Sequence, residues 1–133
     1  GEFLEWKQIH GDRYGTSRSR LEEAVRSGVI GIMSVDITGG LEIKRFFGSA
    51  ATTIFVRPRS TEDLLVRLAG RGDSQEDIER RMQRALRELQ MADHCDAVVV
   101  NEQGRLEEAV EAVLAIIDRT IKPATIIHHN PSE

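Results

Sequence analysis

Residues 28–47 read GVIGIMSVDITGGLEIKRFF. An apolar run from Val29 to Val35 ends on Asp36, and the pair Gly39-Gly40 follows just before a second patterned stretch. A short Val- and Ile-rich run bounded by turn residues is the pattern of a buried strand. An acid followed by glycines suits the opening of a helix. Strand then helix is the unit from which parallel α/β sheets are built. Such sheets take their ligands beyond the carboxyl ends of the strands, and Asp36 stands at that point. Two readings of Asp36 follow, a ligand-facing acid or a helix N-cap, and both are open from this stretch alone.

The same unit recurs downstream. Thr52 to Val56 and Asp96 to Val100 are again short, β-branched and bounded by Pro, Asn or charge. Helical patterns lie between and after them. Ser17 to Ser27 starts with capping hydroxyls and stops at Gly28. Thr61 to Ala69 carries Leu64, Leu65 and Leu68 on one side. Ser74 to Met91 repeats Ile78, Met82, Ala85, Leu86 and Leu89 at helical spacing. A last helix places Leu106, Ala109, Val110, Val113, Ile116 and Ile117 on one face. Three strands alternating with helices predict a parallel α/β sheet with helices against it. Residues 3 to 16 fit no such unit and read as a strand-and-turn excursion. From Lys122 onward the pattern decays into a tail.

Composition narrows the function classes. The 133 residues fit one domain, for which roughly 100–200 residues is usual. A hydrophobic content of 40% with 30% charge belongs to soluble globular proteins. The net charge of -4 argues against a general nucleic-acid binder. Cys95 is the one cysteine, so no internal disulfide forms and a reducing cytoplasm is the simplest location. No apolar run approaches the roughly 18 residues of a membrane span. His10, His94, His128 and His129 are not completed into a metal set by a second Cys or a spaced acid. The chain opens at Gly1 without a Met and enters a strand-like run almost at once, as a piece of a longer protein would.

Three constellations could carry chemistry. Glu5 sits between Leu4 and Trp6, with Tyr14 and Thr16 shortly after. A carboxylate only accepts, so it suits a ligand edge with adjacent N–H donors, and guanine has one in its N1–H and exocyclic amine. Hydroxyls of Tyr and Thr can hold phosphate oxygens. The plainer reading is a surface hairpin with Glu5 in water. Asp36 is the second candidate. The third is Arg67, Arg71 and Arg81, with Arg71 inside Gly70-Arg71-Gly72. Arginines that converge on phosphates serve phosphoryl transfer, which depends on positioning and charge neutralisation. Their plainer reading is a solvated helix face with Glu–Arg pairs, which suits Arg80 and Arg84 best.

Six segments in this order resemble the guanylate kinase family: GEFLEW, HGDRYGTS, VDITGGLEIKRFF, IFVRPRSTEDLLVRLAGRG, DSQEDIERRMQRALRELQMAD and DAVVVNEQGRLEEAV. The likeness runs from Gly1 to about Ile117, and the glycine pair with LEIK is similar to a bacterial branch rather than the scaffold-protein branch. The resemblance implies a P-loop-kinase-type three-layer parallel sheet with helices on both faces, part of a GMP-binding strand excursion and a helical lid. It implies residues 1–16 as the remainder of the GMP-binding subdomain, 17–66 and 82–122 as core, 67–81 as lid and 123–133 as tail. By the same resemblance Glu5 reads the guanine edge and Asp36 reinforces it, with Tyr14 and Thr16 around the GMP phosphate and base. Arg67, Arg71 and Arg81 are then the catalytic arginines that close over the ATP phosphates, and Asn101 ends the strand beside the adenine. The implied reaction is ATP + GMP to ADP + GDP with Mg²⁺, in the cytoplasm, without nucleic acid or membrane.

Several residues depart from the family pattern. No G-x-x-x-x-G-K-[ST] run occurs in the 133 residues, and that loop supplies the backbone cradle and lysine for ATP phosphates. Ser34 replaces an aspartate that helps hold the metal's water shell, and Thr38 stands where glutamine is common. Asp73 follows Gly-Arg-Gly directly, without the usual threonine, and Arg59 replaces the second proline of a common turn. The expectation is an incomplete chain, inactive by itself, with apolar strand faces that a homo-oligomer could cover. The alternative is a catalytically dead guanylate-kinase-like module that binds GMP or a phosphopeptide. An inert gene fragment is the third reading.

Overall fold

The computed structural model describes residues 3–9, 12–70 and 72–121, with residues 3–9, 12–14 and 16 described by their backbone. The chain divides into two units, one running to Ala51 and the other spanning Thr52–Thr120. No helix among the described residues is long and apolar enough to cross a membrane.

The first unit opens with an antiparallel hairpin, β1 (Phe3–Ile9) against β2 (Asp12–Ser17). This is the excursion expected for residues 3 to 16. Its register slips near the start, because Phe3 pairs with Ser17 while Glu5 pairs with Thr16. Leu4 is therefore the extra residue of a bulge. β2 runs directly into α1 (Arg18–Ser27). Ser17 is the N-cap residue, but its hydroxyl makes no cap hydrogen bond and pairs with the Ser19 hydroxyl at 3.1 Å. At the other end Gly28 adopts a left-handed backbone with φ 72°, and the Val29 amide donates to the Ala24 carbonyl at 3.0 Å. That five-residue reach closes the helix end and needs a residue without a Cβ penalty.

The run Val29 to Val35 corrects the sequence reading. It forms no strand, and no strand among the described residues pairs with it. Val29 to Val35 is exposed throughout, Ile32 to 78%. The composition suits a buried parallel strand, but a strand exists only through a hydrogen-bonded neighbour. Among the described residues the sheet therefore has two parallel strands where three were expected. After the run, α2 (Ile37–Phe47) buries Ile37, Gly39 and Ile43. Lys44 donates to the Ala51 carbonyl at 2.7 Å and ties down the short 3₁₀ turn Gly48–Ala50. The Arg18 guanidinium lies 4.4 Å from the Phe46 ring centroid, a contact worth about 0.5–1 kcal/mol when exposed.

The second unit holds the parallel pair β3 (Ile54–Arg57) and β4 (Ala97–Val100), in register from Ile54 opposite Ala97 to Arg57 opposite Val100. The crossover between them consists of α3 (Thr61–Ala69), α4 (Gln75–Gln90) and a 3₁₀ turn, Ala92–His94. Parallel strands need such a long crossover because the chain must return to the starting end. α5 (Leu106–Thr120) follows β4 and lies along it. The buried apolar residues of this unit are Leu68, Ile78, Ala92, Val99 and Ala109. Spacing grouped Leu86 with the α4 core face and Leu106 and Val110 with that of α5, yet all three are exposed. Leu86 and Val110 lie on the edges of their apolar stripes, and Leu106 is the first residue of α5.

The open end of the β3–β4 ladder is fastened by side chains. Asp96 Oδ2 accepts from the Thr53 amide at 2.7 Å and from its hydroxyl at 2.8 Å, while the Asp96 amide donates back to that hydroxyl at 3.0 Å. A charged acceptor makes these bonds stronger than neutral ones.

Candidate nucleotide site

In the first unit the hairpin register sets the candidate positions. Glu5 pairs with Thr16, and Lys7 with Tyr14. Cross-strand partners share a sheet face, and so do residues two apart. The positions of Glu5, Lys7, Tyr14 and Thr16 therefore fall on one face. The side chains of Glu5, Tyr14 and Thr16 lie outside the described residues.

Asp36 is held at the start of α2. Its Oδ1 accepts from the Gly39 amide at 2.9 Å, so the N-cap reading is realised. A carboxylate has about four acceptor sites, and capping one amide does not exhaust it. The ligand-facing reading is therefore compatible with the cap.

In the second unit the structure joins two predicted residues. Arg67, in the last turn of α3, donates from Nη2 to the Asn101 carbonyl at 2.6 Å and from Nε to Gln103 Oε1 at 3.1 Å. Asn101 itself donates its amide to the Arg57 carbonyl at 2.8 Å, which extends the ladder past β4. The first residue beyond the carboxyl end of β4 is thus fixed to α3. This is the side of the sheet where α/β folds place ligands. Arg81 lies on α4 with Nη1 3.3 Å from Asp73 Oδ2. Arg71 lies outside the described residues.

Two helix starts hold their acids in place. Ser60 Oγ accepts from the Asp63 amide at 3.1 Å, and Ser74 Oγ accepts from the Asp77 amide at 3.2 Å. Both are N-caps of the expected kind. The Ser74 hydroxyl also donates to Asp77 Oδ2 at 2.7 Å, which holds the Asp77 carboxyl below its ordinary pKa, with the Arg80 and Arg81 charges acting the same way. Burial pushes the Cys95 thiol up, although a hydrogen bond with Thr53 opposes this.

One cluster escaped the sequence reading. Arg59, noted there only as a departure from a proline turn, donates Nη1 to Glu102 Oε1 at 2.9 Å and lies 3.5 Å from Asp63 through Nε. The four-residue spacing to Asp63 was visible in the sequence. Glu102 and Gln103 were not, because 43 and 36 residues separate them from Arg59 and Arg67. Together Arg59 and Arg67 grip the loop after β4 from both ends of α3.

The guanylate kinase family model matches residues 1–120. The chain belongs to the guanylate kinase family. It is 40% identical over 119 residues to the guanylate kinase of Salinibacter ruber, covering 88% of this chain and 62% of that protein. It is 41% identical over 118 residues to the guanylate kinase of Thermotoga maritima, covering 88% of this chain and 56% of that protein. The chain thus spans less than two thirds of the curated relatives it matches. The crystal structure of guanylate kinase from Anaplasma phagocytophilum superposes with a TM-score of 0.68 at 26% identity, over 92% of this chain and 58% of that one. The fold is therefore the guanylate kinase fold, a parallel sheet with helices, of which two strands stand here.

Proposed function

We propose that the protein to which this guanylate kinase family chain belongs transfers the γ-phosphoryl group of ATP to GMP, giving ADP and GDP. The observation that carries the reading is the hairpin register within the family match, which pairs Glu5 with Thr16 and Lys7 with Tyr14. Glu5 accepts from the guanine N1–H and exocyclic amine, an edge that adenine does not present. Asp36 adds a second acceptor from the start of α2. Tyr14 and Thr16 place hydroxyls around the GMP phosphate and base, and Lys7 brings a positive charge to the same hairpin. The network around Asn101 and Arg67 supports an adenine-side edge beyond β4. Arg71 and Arg81 neutralise phosphate charge during transfer, which is the main work that a phosphoryl transferase must do.

Magnesium fits the residues of this chain poorly. Ser34 offers a hydroxyl where an acid would support the ion. Among the described residues no three His, Cys, Asp or Glu side chains are grouped to hold a metal. We therefore assign Mg²⁺ to the nucleotide phosphates, where such ions are held with few protein ligands. The 133 residues contain no G-x-x-x-x-G-K-[ST] loop, so by themselves they bind GMP without turnover. Incubation of the chain with ATP, Mg²⁺ and GMP tests this by chromatography of the products. No GDP above the uncatalysed level is expected, and steady GDP formation contradicts it.

A further inference from the structure

The pairing of Arg81 points to a counter-ion inside the polyphosphate site. Ser74 caps α4, whose first residues are Gln75-Glu76-Asp77, so the acid one turn before Arg81 is Asp77. That carboxylate is already engaged. It accepts from the Ser74 hydroxyl at 2.7 Å and pairs with Arg80. Arg81 turns instead to Asp73, eight residues back and outside the helix, with 3.3 Å between Nη1 and Oδ2. Gly72 adopts a left-handed backbone with φ 75°, which sets the direction in which the chain arrives at Asp73. Asp73 Oδ2 is buried and takes no hydrogen bond among the described residues, so Arg81 is its compensation. A buried carboxylate oxygen left without a partner is costly.

We propose that Asp73 acts as a built-in competitor for Arg81, occupying its guanidinium as a phosphate would and weakening polyphosphate binding. The inference rests on Arg81 being a polyphosphate-binding residue, as in the reading above. An incoming phosphate must take Arg81 from Asp73 and leave that carboxylate without its counter-charge. Asparagine at position 73 keeps the shape and removes the charge that has to be displaced. The pair is half-exposed on the arginine side, 48% against 24% for the acid. Its release therefore amounts to the modest value of a partly exposed ion pair, a gain of about threefold in affinity.

The test is calorimetric titration of the 133-residue chain with inorganic tripolyphosphate, which needs no nucleoside pocket. Asp73→Asn should bind about threefold tighter than the unmodified chain. The same substitution in an Arg81→Gln background should give no gain. Asp93→Asn, the same change of net charge at an exposed site, should give none either. Tripolyphosphate that binds none of the chains, an unchanged affinity in Asp73→Asn, or an equal gain in either control overturns the inference. Titration with GMP and AMP separates it from the preceding reading. If GMP shows no preference while the Asp73→Asn gain persists and needs Arg81, the guanylate kinase reading fails and the competitor role stands.

Discussion

Asp36 can be dissected by three substitutions, because its cap and its charge are separable. Its Oδ1 accepts from the Gly39 amide at 2.9 Å, and Gly39 is buried. In Asp36→Ala that amide loses its acceptor. Loss of an N-cap costs about 1 kcal/mol, and loss of a negative charge at a helix N-terminus about 0.3–1 kcal/mol more. The sum, roughly 1.5 kcal/mol, corresponds to about tenfold easier opening of the first turn of α2. Amide hydrogen exchange at Gly39 reads this locally, without requiring the two units to unfold together. Asp36→Ala should speed Gly39 exchange by about tenfold. Asp36→Asn keeps an acceptor and loses only the charge, so it should speed exchange by about two- to fivefold. Asp36→Ser keeps the cap likewise. If alanine leaves Gly39 exchange unchanged, or asparagine is as damaging as alanine, the cap assignment is wrong.

Three further outcomes follow from the second unit. Ile78 is 8% exposed on α4, so Ile78→Ala should lower stability by about 2–4 kcal/mol and Ile78→Val by about 0.5–1.5, both measurable by urea titration; equal effects would contradict a packed site. The Ser74 hydroxyl holds the Asp77 carboxyl below its ordinary value, so its contribution is present above the unfolded pKa and lost as pH falls through the lower folded one. Protection of the first α4 amides should therefore persist at pH 4 in the native chain and weaken there in Ser74→Ala; indifference to that substitution would refute the link. Burial raises the Cys95 thiol, so iodoacetamide should label it more slowly at pH 8 than a free cysteine, and an equal rate would count against the described packing.

Much of this architecture was legible because its signals are local. Ser60, Ser74 and Asp36 announce helix starts through a side chain three residues from the amide it serves. Gly28 announces a stop through the one backbone conformation that disfavours other residues. Val29 to Val35 was misread for a complementary reason. Its composition reports how well it would suit a sheet, whereas strand formation depends on a neighbour whose identity is written elsewhere. Arg59–Glu102, Arg67–Asn101 and Thr53–Asp96 were likewise beyond the sequence. Each joins residues 34 to 43 positions apart, and only the parallel pairing of β3 with β4 brings them together. The guanine-reading set was reached through resemblance rather than periodicity, since Glu5 alone is indistinguishable from a solvated strand residue.

The hairpin carrying Glu5 is proposed to read guanine. Its most direct test compares GMP and AMP binding to the chain by calorimetry, before and after Glu5→Gln. A clear preference for GMP is expected. In Glu5→Gln, an amide replaces one charged acceptor and sets a donor against the guanine amine, so GMP affinity should fall about tenfold or more while AMP binding stays as it was. Equal affinity for GMP and AMP in the unmodified chain, or GMP binding untouched by Glu5→Gln, would contradict it.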